Sequence, residues 1–221
     1  MIDLPLTPHS ARSTPLSSLI HLPASFFERF ELAQLFSKPQ TLEVELGSGD
    51  GSFIAQYAQA HPERNFLGVE RLLGRLRKID RKGQRAGLTN LRVVRVEASY
   101  LLEYLLPRGC VSAIHVYFPD PWPKRKHRQN RLVNQRFTEL AKQSLAPGGV
   151  VHLRTDDLDY FAQMRAVFAE NPAFQPVETP AELSALTTDF ERDFQAREVA
   201  TLRAAFGRGE RGSSGESAAE P

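Results

Sequence analysis

Cysteine occurs once in the 221 residues, at Cys110. A single thiol excludes an intramolecular disulfide and any cysteine-held metal cluster, and it suits a reducing compartment. Long apolar stretches are also missing. No run reaches the roughly 18 residues that a membrane span needs. The start, Met1-Ile2-Asp3-Leu4-Pro5, lacks the basic residues and apolar core of a secretory signal, so the cytoplasm is the expected location. No set of His, Asp and Glu has metal-ligand spacing, and no metal is expected. No internal repeat is visible. Net charge is scarce as well: 28 Lys and Arg against 26 Asp and Glu leave +2.

What is present is a globular composition, 41% hydrophobic and 24% charged. The length suits one compact α/β domain and is too short for two ordinary ones. The small net charge conceals a polarised distribution. Residues 71–95 hold nine Lys/Arg and one acid, Asp80, a net of +8. Residues 119–136 hold six Lys/Arg and one acid, Asp120, a net of +5, which leaves −11 for the other 178 residues. Basic faces of this kind meet polyanions.

Residues 1–23, with four prolines and little periodicity, read as an extended N-terminal arm. Residues 25–36 place Phe26, Phe27, Phe30 and Ala33 near helical spacing behind Ser25 as N-cap. Residues 207–221 carry no apolar residue larger than alanine and read as a disordered tail. Between the ends, strands are expected at 41–46, 65–69, 91–96, 111–118, 150–154 and 174–177, with a further one possible within 198–205. Helices are expected at 52–60, 71–85, 100–106, 129–145 and 158–170. Strands alternating with helices imply βαβ units and a mostly parallel sheet, here a domain over 24–206.

The first of these strands enters Glu45-Leu46-Gly47-Ser48-Gly49-Asp50-Gly51. Glycines at alternate positions between strand and helix let the backbone approach a ligand closely, at the turn where doubly wound sheets hold nucleotides. The spacing is G-x-G-x-G, not the G-x-G-x-x-G of dinucleotide binders, and Glu45 would repel a pyrophosphate. Glu70 ends the second strand, where it could accept from ribose hydroxyls. Glu97 ends the third, beside Ala98, within reach of an adenine edge. Three acids and no base in the turn suit a cationic nucleoside, and S-adenosylmethionine fits that description. A dinucleotide site, or a plain tight turn whose acids cap helices, are the competing readings.

The fourth strand ends in Phe118-Pro119-Asp120-Pro121-Trp122-Pro123-Lys124-Arg125-Lys126-His127-Arg128. Three prolines fix three φ angles and bias Phe118, Asp120 and Trp122 to extended backbone. A stiff loop with one acid, one large π face and a basic run is what reading a base on a polyanion requires. A surface proline turn before a solvated basic helix is the alternative.

This proline–tryptophan stretch resembles the hallmark of bacterial tRNA (guanine-N7)-methyltransferases. The glycine turn, Gly68-Val69-Glu70, Leu153-Arg154-Thr155-Asp156 and Thr188-Asp189-Phe190-Glu191 resemble further motifs of that family, in the same order over about residues 40–195. The resemblance implies a Rossmann-like class I methyltransferase fold, a seven-stranded mostly parallel sheet with helices on both faces. It implies that Glu45, Gly47, Gly49, Gly51, Glu70, Glu97, Ala98 and Asp120 surround S-adenosylmethionine, with Asp120 catalytic. It implies that Lys124, Asp156, Thr188, Asp189, Phe190 and Glu191 bind the substrate, a guanine in the variable loop of tRNA. Glu97 is one methylene longer than the Asp or Asn of many relatives, and Gln129 and Asn130 interrupt the basic run.

Guanine N7 carries an in-plane lone pair and no proton, so no general base is needed there. The work is positioning and electrostatic stabilisation. Carboxylates beside the base, Asp120 first and then Asp156 and Glu191, would favour positive charge moving onto the purine. Lys124 and the cations of 125–136 are expected at phosphates. Helix 71–85 is either a solvated face or an RNA-docking face. Trp122 either stacks on a base or braces its own loop. Cys110 reads as an inert thiol, His115 as a satisfied core histidine, and residues 179–195 as a loop that orders when RNA binds. The chain is expected to act as a monomer or homodimer. A methyltransferase for another RNA, a non-catalytic RNA-binding module and an NAD-dependent oxidoreductase are the rival functions.

Overall fold

The glycine turn follows a strand that is buried at all five positions, Leu42–Leu46, although two of the five are glutamates. Strand alternation separates them. Leu42, Val44 and Leu46 join the apolar cluster on one face of the sheet, and Glu43 and Glu45 turn to the other. This strand, β2, is the middle of the structure, a computed structural model that describes residues 18–189, 191, 192 and 196–209.

The elements run β1 (Ile20–His21), α1 (Leu32–Leu35), β2, α2 (Ser52–Ala60), β3 (Asn65–Val69), α3 (Leu73–Arg85), β4 (Leu91–Val94) and α4 (Ala98–Tyr100). They continue through a π-helical turn (Leu101–Leu105), β5 (Val111–Tyr117), a 3-10 turn (Arg125–Asn130) and α5 (Gln135–Ser144). Then come β6 (Leu145–Thr155), α6 (Leu158–Ala169), β7 (Phe174–Val177), α7 (Ala181–Ala185) and β8 (Leu202–Arg208). The sheet order is β1-β4-β3-β2-β5-β6-β8-β7, parallel from β1 to β6, with β8 antiparallel to both β6 and β7. The sheet therefore has eight strands, not seven. The extra one is β1, where Ile20 and His21 pair with Val93 and Val94.

One face is covered by α2, α3 and Leu183 of α7, packed on Leu91, Val93 and Tyr117. The other is covered by the π-helical turn, α5 and α6, packed on Val44, Ile114 and Val151. The chain reverses its winding between β3 and β5, on either side of β2. Ligands of open α/β sheets bind at such a switch point, beyond the carboxyl ends of the strands.

Several expected boundaries move, for local reasons. The helix expected over 25–36 shrinks to four residues. Ser25 does accept from the Phe27 amide, but the Phe30 N–H is spent on the Leu105 carbonyl, across to the π-helical turn. The helix expected from 129 begins at Gln135, because Asn134 takes the N-cap and accepts from the Phe137 amide at 3.0 Å. Residues 181–185, read as loop, form α7. β1 falls within the segment read as an arm, and β8 runs to Arg208, beyond 206. Residues 1–17 of the arm and 210–221 of the tail lie outside the described residues.

Candidate active site

A cleft of about 500 Å³ opens beyond the carboxyl ends of β2, β3, β4 and β5. Its walls include Gly47, Glu70, Glu97, Ala98 and Asp120, so five of the eight expected cofactor residues meet there. Trp122 and Tyr117 line it as well.

The glycine turn owes its path to backbone that other residues adopt poorly: φ is +80° at Gly47, +56° at Gly49 and +78° at Gly51. At Gly47 and Gly49 a side chain would meet nothing within 4 Å, so the turn is open to a close-lying ligand. Gly51 has a packing role instead. A Cβ there would lie 2.9 Å from Ile79 of α3, which locks α3 against the start of α2.

Three acids surround the turn in different states. Glu70 braces it from the end of β3, accepting from the Gly49 amide at 3.1 Å and the Leu72 amide at 2.8 Å, and still faces the cleft. Glu97 caps α4 by accepting from the Tyr100 amide at 2.8 Å, and it too lines the cleft. Glu45 lies beneath the turn, outside the cleft lining, and one of its carboxylate oxygens has no partner among the described residues. Burial pushes its carboxyl up to about 8. Ser48 and Arg154 offset part of that rise, while the charges of Asp50 and Glu70 add to it. A buried acid short of a partner, below an open glycine turn and a cleft of this size, fits a ligand that carries positive charge. Asp50, by contrast, is already paired. Burial raises its carboxyl, but Lys82 at 2.7 Å and the Ser52 amide more than reverse this.

The proline loop is rigid in a different way from the one expected. Phe118 and Trp122 both have positive φ, +50° and +43°, rather than the extended backbone their following prolines favour. Strain of this kind persists where the surroundings over-determine it. Here Arg131 supplies much of the restraint. It is 2% exposed, donates from Nε to the Pro121 carbonyl at 2.7 Å, and holds Gln163 and Asp159 with its two terminal nitrogens. The loop thus presents Asp120 exposed at the cleft and Trp122 partly open along its wall, 5.9 Å from His127.

Arg131 also corrects the expectation that every cation of 125–136 faces phosphate. It is buried, Arg128 pairs with Asp159 at 3.0 Å, and Arg136 pairs with Glu103. Lys124, Arg125 and Lys126 stay exposed without an ion pair among the described residues.

The expected substrate residues separate into two groups. Lys124 and Asp156 are exposed beyond the ends of β5 and β6. Thr188 and Glu191 are buried and turned on each other: the Thr188 amide donates to the Glu191 carboxylate at 2.9 Å, and the Glu191 amide donates to the Thr188 hydroxyl at 3.0 Å. This reciprocal pair is a capping box. The same carboxylate accepts from Arg154 at 2.8 Å and Arg203 at 2.7 Å, which ties the segment to β6 and β8. Asp189 donates its amide to Ser52 at 3.2 Å and sits 3.6 Å from Lys82, over the start of α2. Phe190 lies outside the described residues.

Arg154, inside the Leu153–Asp156 motif but outside the expected site residues, is the hub of this region. It is 1% exposed, donates to the Leu183 and Leu186 carbonyls, and lies 4.2 Å over the Tyr117 ring that lines the cleft. Tyr117 is held in turn by His115, whose Nδ1 meets the tyrosine hydroxyl at 2.9 Å. Its Nε2 donates to Glu43 at 2.7 Å. Burial lifts the Glu43 carboxyl, but His115 and Arg64 hold it below the usual range. His115 is therefore satisfied, as the sequence suggested. Nothing in the sequence announced that Tyr117 lines the cleft or that Glu43 backs it through His115, because the strand pairing that joins Glu43 to His115 spans about 70 residues. Burial raises the Cys110 thiol to about 11, which makes it unreactive. Among the described residues no cluster could hold a metal, and no helix is long and apolar enough to cross a membrane.

Residues 39–204 match a family model described as "Putative methyltransferase". A tRNA (guanine-N(7)-)-methyltransferase of Methylococcus capsulatus is 38% identical over 161 residues, 66% of this chain and 70% of the relative. One of Nitrosococcus oceani is 36% identical over 143 residues, 65% of this chain and 61% of the relative, so the match spans less than two thirds of that protein. Among solved structures, the 16S rRNA methyltransferase KamB superposes with a TM-score of 0.59 at 17% identity, covering 80% of this chain and 92% of that one. TrmN from Thermus thermophilus gives 0.56 at 19%, covering 80% of this chain and 47% of that one. At these identities the two structures bear on the fold alone.

Proposed function

The chain belongs to the tRNA (guanine-N(7)-)-methyltransferase family, and from that premise we propose that it methylates N7 of a guanine in the variable loop of tRNA, with S-adenosylmethionine as donor. The observation that carries the reading is the cleft itself: acids at the ends of β3 and β4, and Asp120 on a strained proline loop, converge on one space beside an open glycine turn.

In this reading Gly47 and Gly49 admit the donor close to the backbone, Glu45 favours its positive charge by giving up its proton, Glu70 accepts from its ribose hydroxyls, and Glu97 with Ala98 flanks its adenine. The donor supplies an electrophilic methyl on a positively charged sulfur. The chain's own task is to orient the acceptor base and follow the charge. Asp120, fixed by the loop that Arg131 braces, lies where a purine would gain positive charge, and its carboxylate stabilises that gain. No proton has to leave N7. Asp120 can also accept from guanine N–H donors, which adenine does not match. Lys124 and Asp156 stand at the RNA side of the cleft. Thr188 and Glu191, being saturated internally, position the segment rather than touch the base.

Incubation with unmodified tRNA and labelled methyl donor tests the proposal. Methyl groups should enter the tRNA. A chain that binds tRNA yet transfers no methyl would instead be an RNA-binding module on a retained fold.

A further inference from the structure

We propose that the exposed stripe formed by Arg71, just before α3, and by Arg75, Lys78, Arg81 and Arg85 on it is a second docking surface for the phosphate backbone of the substrate tRNA. It would flank the cleft on the β3–β4 side, opposite the Lys124–Lys126 side. The inference rests on the tRNA reading above and adds where the rest of that polyanion lies.

Leu76, Ile79 and Gly83 point into the core, while the five cations are exposed, as is Arg77 beside them. None of the five has an ion-pair partner among the described residues; Lys82 alone on this helix pairs, with Asp50 and Asp189. The helix has one acid, Asp80, and it is spent elsewhere. Its carboxylate accepts from the Leu19 amide at 2.7 Å and from Gln84 at 2.8 Å, pinning β1 to the sheet edge. Arg71 and Arg81 sit four residues from Arg75 and Arg85, and Arg75 sits three from Lys78, so like charges stack one turn apart. That arrangement weakens a helix in isolation, and a bound polyanion relieves it.

The stripe is continuous with the site. Arg71 and Arg75 line the cleft, and exposed Arg95 donates to the Arg71 carbonyl at 3.0 Å, extending the surface past β4. The other basic segment has less to offer than its composition suggests, since Arg128, Arg131 and Arg136 are committed to Asp159 and Glu103. More free positive charge therefore lies on α3 than on the proline-loop side. A strand of regularly spaced phosphates passing over the cleft matches both flanks.

The test uses the full chain and a triple variant, Lys78→Gln, Arg81→Gln and Arg85→Gln, which leaves the cleft-lining cations and the Lys82 pairs intact and keeps helix propensity. Binding of unmodified tRNA is measured by filter retention over a salt series. Donor binding is followed by calorimetry and folding by thermal melting. The variant should bind tRNA roughly tenfold or more weakly, and its slope of log affinity against log salt should be shallower by about two to three. Its melting and donor affinity should match the parent. Unchanged tRNA affinity and slope would overturn the proposal and leave the methyl-transfer reading standing. α3-dependent binding without methyl transfer would do the reverse. Binding of the parent to phosphatidylglycerol vesicles through α3, with none to tRNA, would overturn it in favour of a membrane surface.

Discussion

At the scale of single residues, two acids carry opposite expectations. Asp120 is exposed on a loop whose backbone is held by others, so its removal should leave the fold and the donor site intact. Asp120→Ala should lose most turnover while donor affinity holds, and Asp120→Asn should lose less. A fully active alanine variant would remove the assignment. Glu45 is the reverse case. Its folded carboxyl sits at about 8 against an ordinary 4.5, so the folded chain keeps a proton that the unfolded chain releases. Between those values the unfolded state binds fewer protons, and stability falls as pH rises through the window, then levels off. Glu45→Gln has no such proton to lose. Its melting temperature should hold between pH 5 and about 8 while that of the parent declines. A cation nearby favours the charged form, so donor binding near pH 7 should release protons from the parent and fewer from the variant. Parallel melting profiles would contradict the burial argument.

At the scale of elements, Leu183, Leu186, Thr188 and Glu191 are held by a capping box and a buried arginine. Thr188→Ala should cost about 1 kcal/mol and Thr188→Ser should recover most of it. Arg154→Ala removes one of the two arginines on a carboxylate of zero exposure, together with the donor to the Leu183 and Leu186 carbonyls, and should cost about 3 kcal/mol, with Arg203 still holding the carboxylate. Denaturant unfolding reads both. A Thr188→Ala chain with unchanged stability and a raised KM for tRNA would return the residue to direct substrate contact. The same element shows what sequence can and cannot deliver. Thr-x-x-Glu is a visible capping signature, but that its glutamate is saturated by Arg154 and Arg203 depends on β6 and β8 lying side by side. α2 and β3 emerged with the boundaries read from the sequence, 52–60 and 65–69, since local periodicity and the glycine turn set both ends. α1 and the start of α5 did not, because a cross-chain hydrogen bond from Phe30 and a cap at Asn134 decided them. The proline loop was legible as rigid, yet its positive φ angles needed Arg131, ten residues on, to hold them.

For the whole molecule, the near-zero net charge is the sum of two opposed demands. Acids gather at the carboxyl ends of the central strands, where a positively charged donor and a purine gaining charge would sit. Cations gather on α3 and on the proline-loop flank, where phosphates would run. The sheet order makes the division possible, since α3 follows β3 and the proline loop follows β5, on opposite sides of β2. Composition alone located both basic segments. It could not tell that half of one is tied up internally, because Asp159 and Glu103 are supplied by distant elements.

The central claim is that this cleft delivers a methyl group to one atom of one base. Transfer RNA methylated by the purified chain, then cut by chemistry specific for N7-methylguanine, reads that directly. A single cut at a guanine of the variable loop, strongly reduced with Asp120→Ala, is the predicted result. Incorporated methyl with no such cut, or a cut outside the variable loop, would contradict the account.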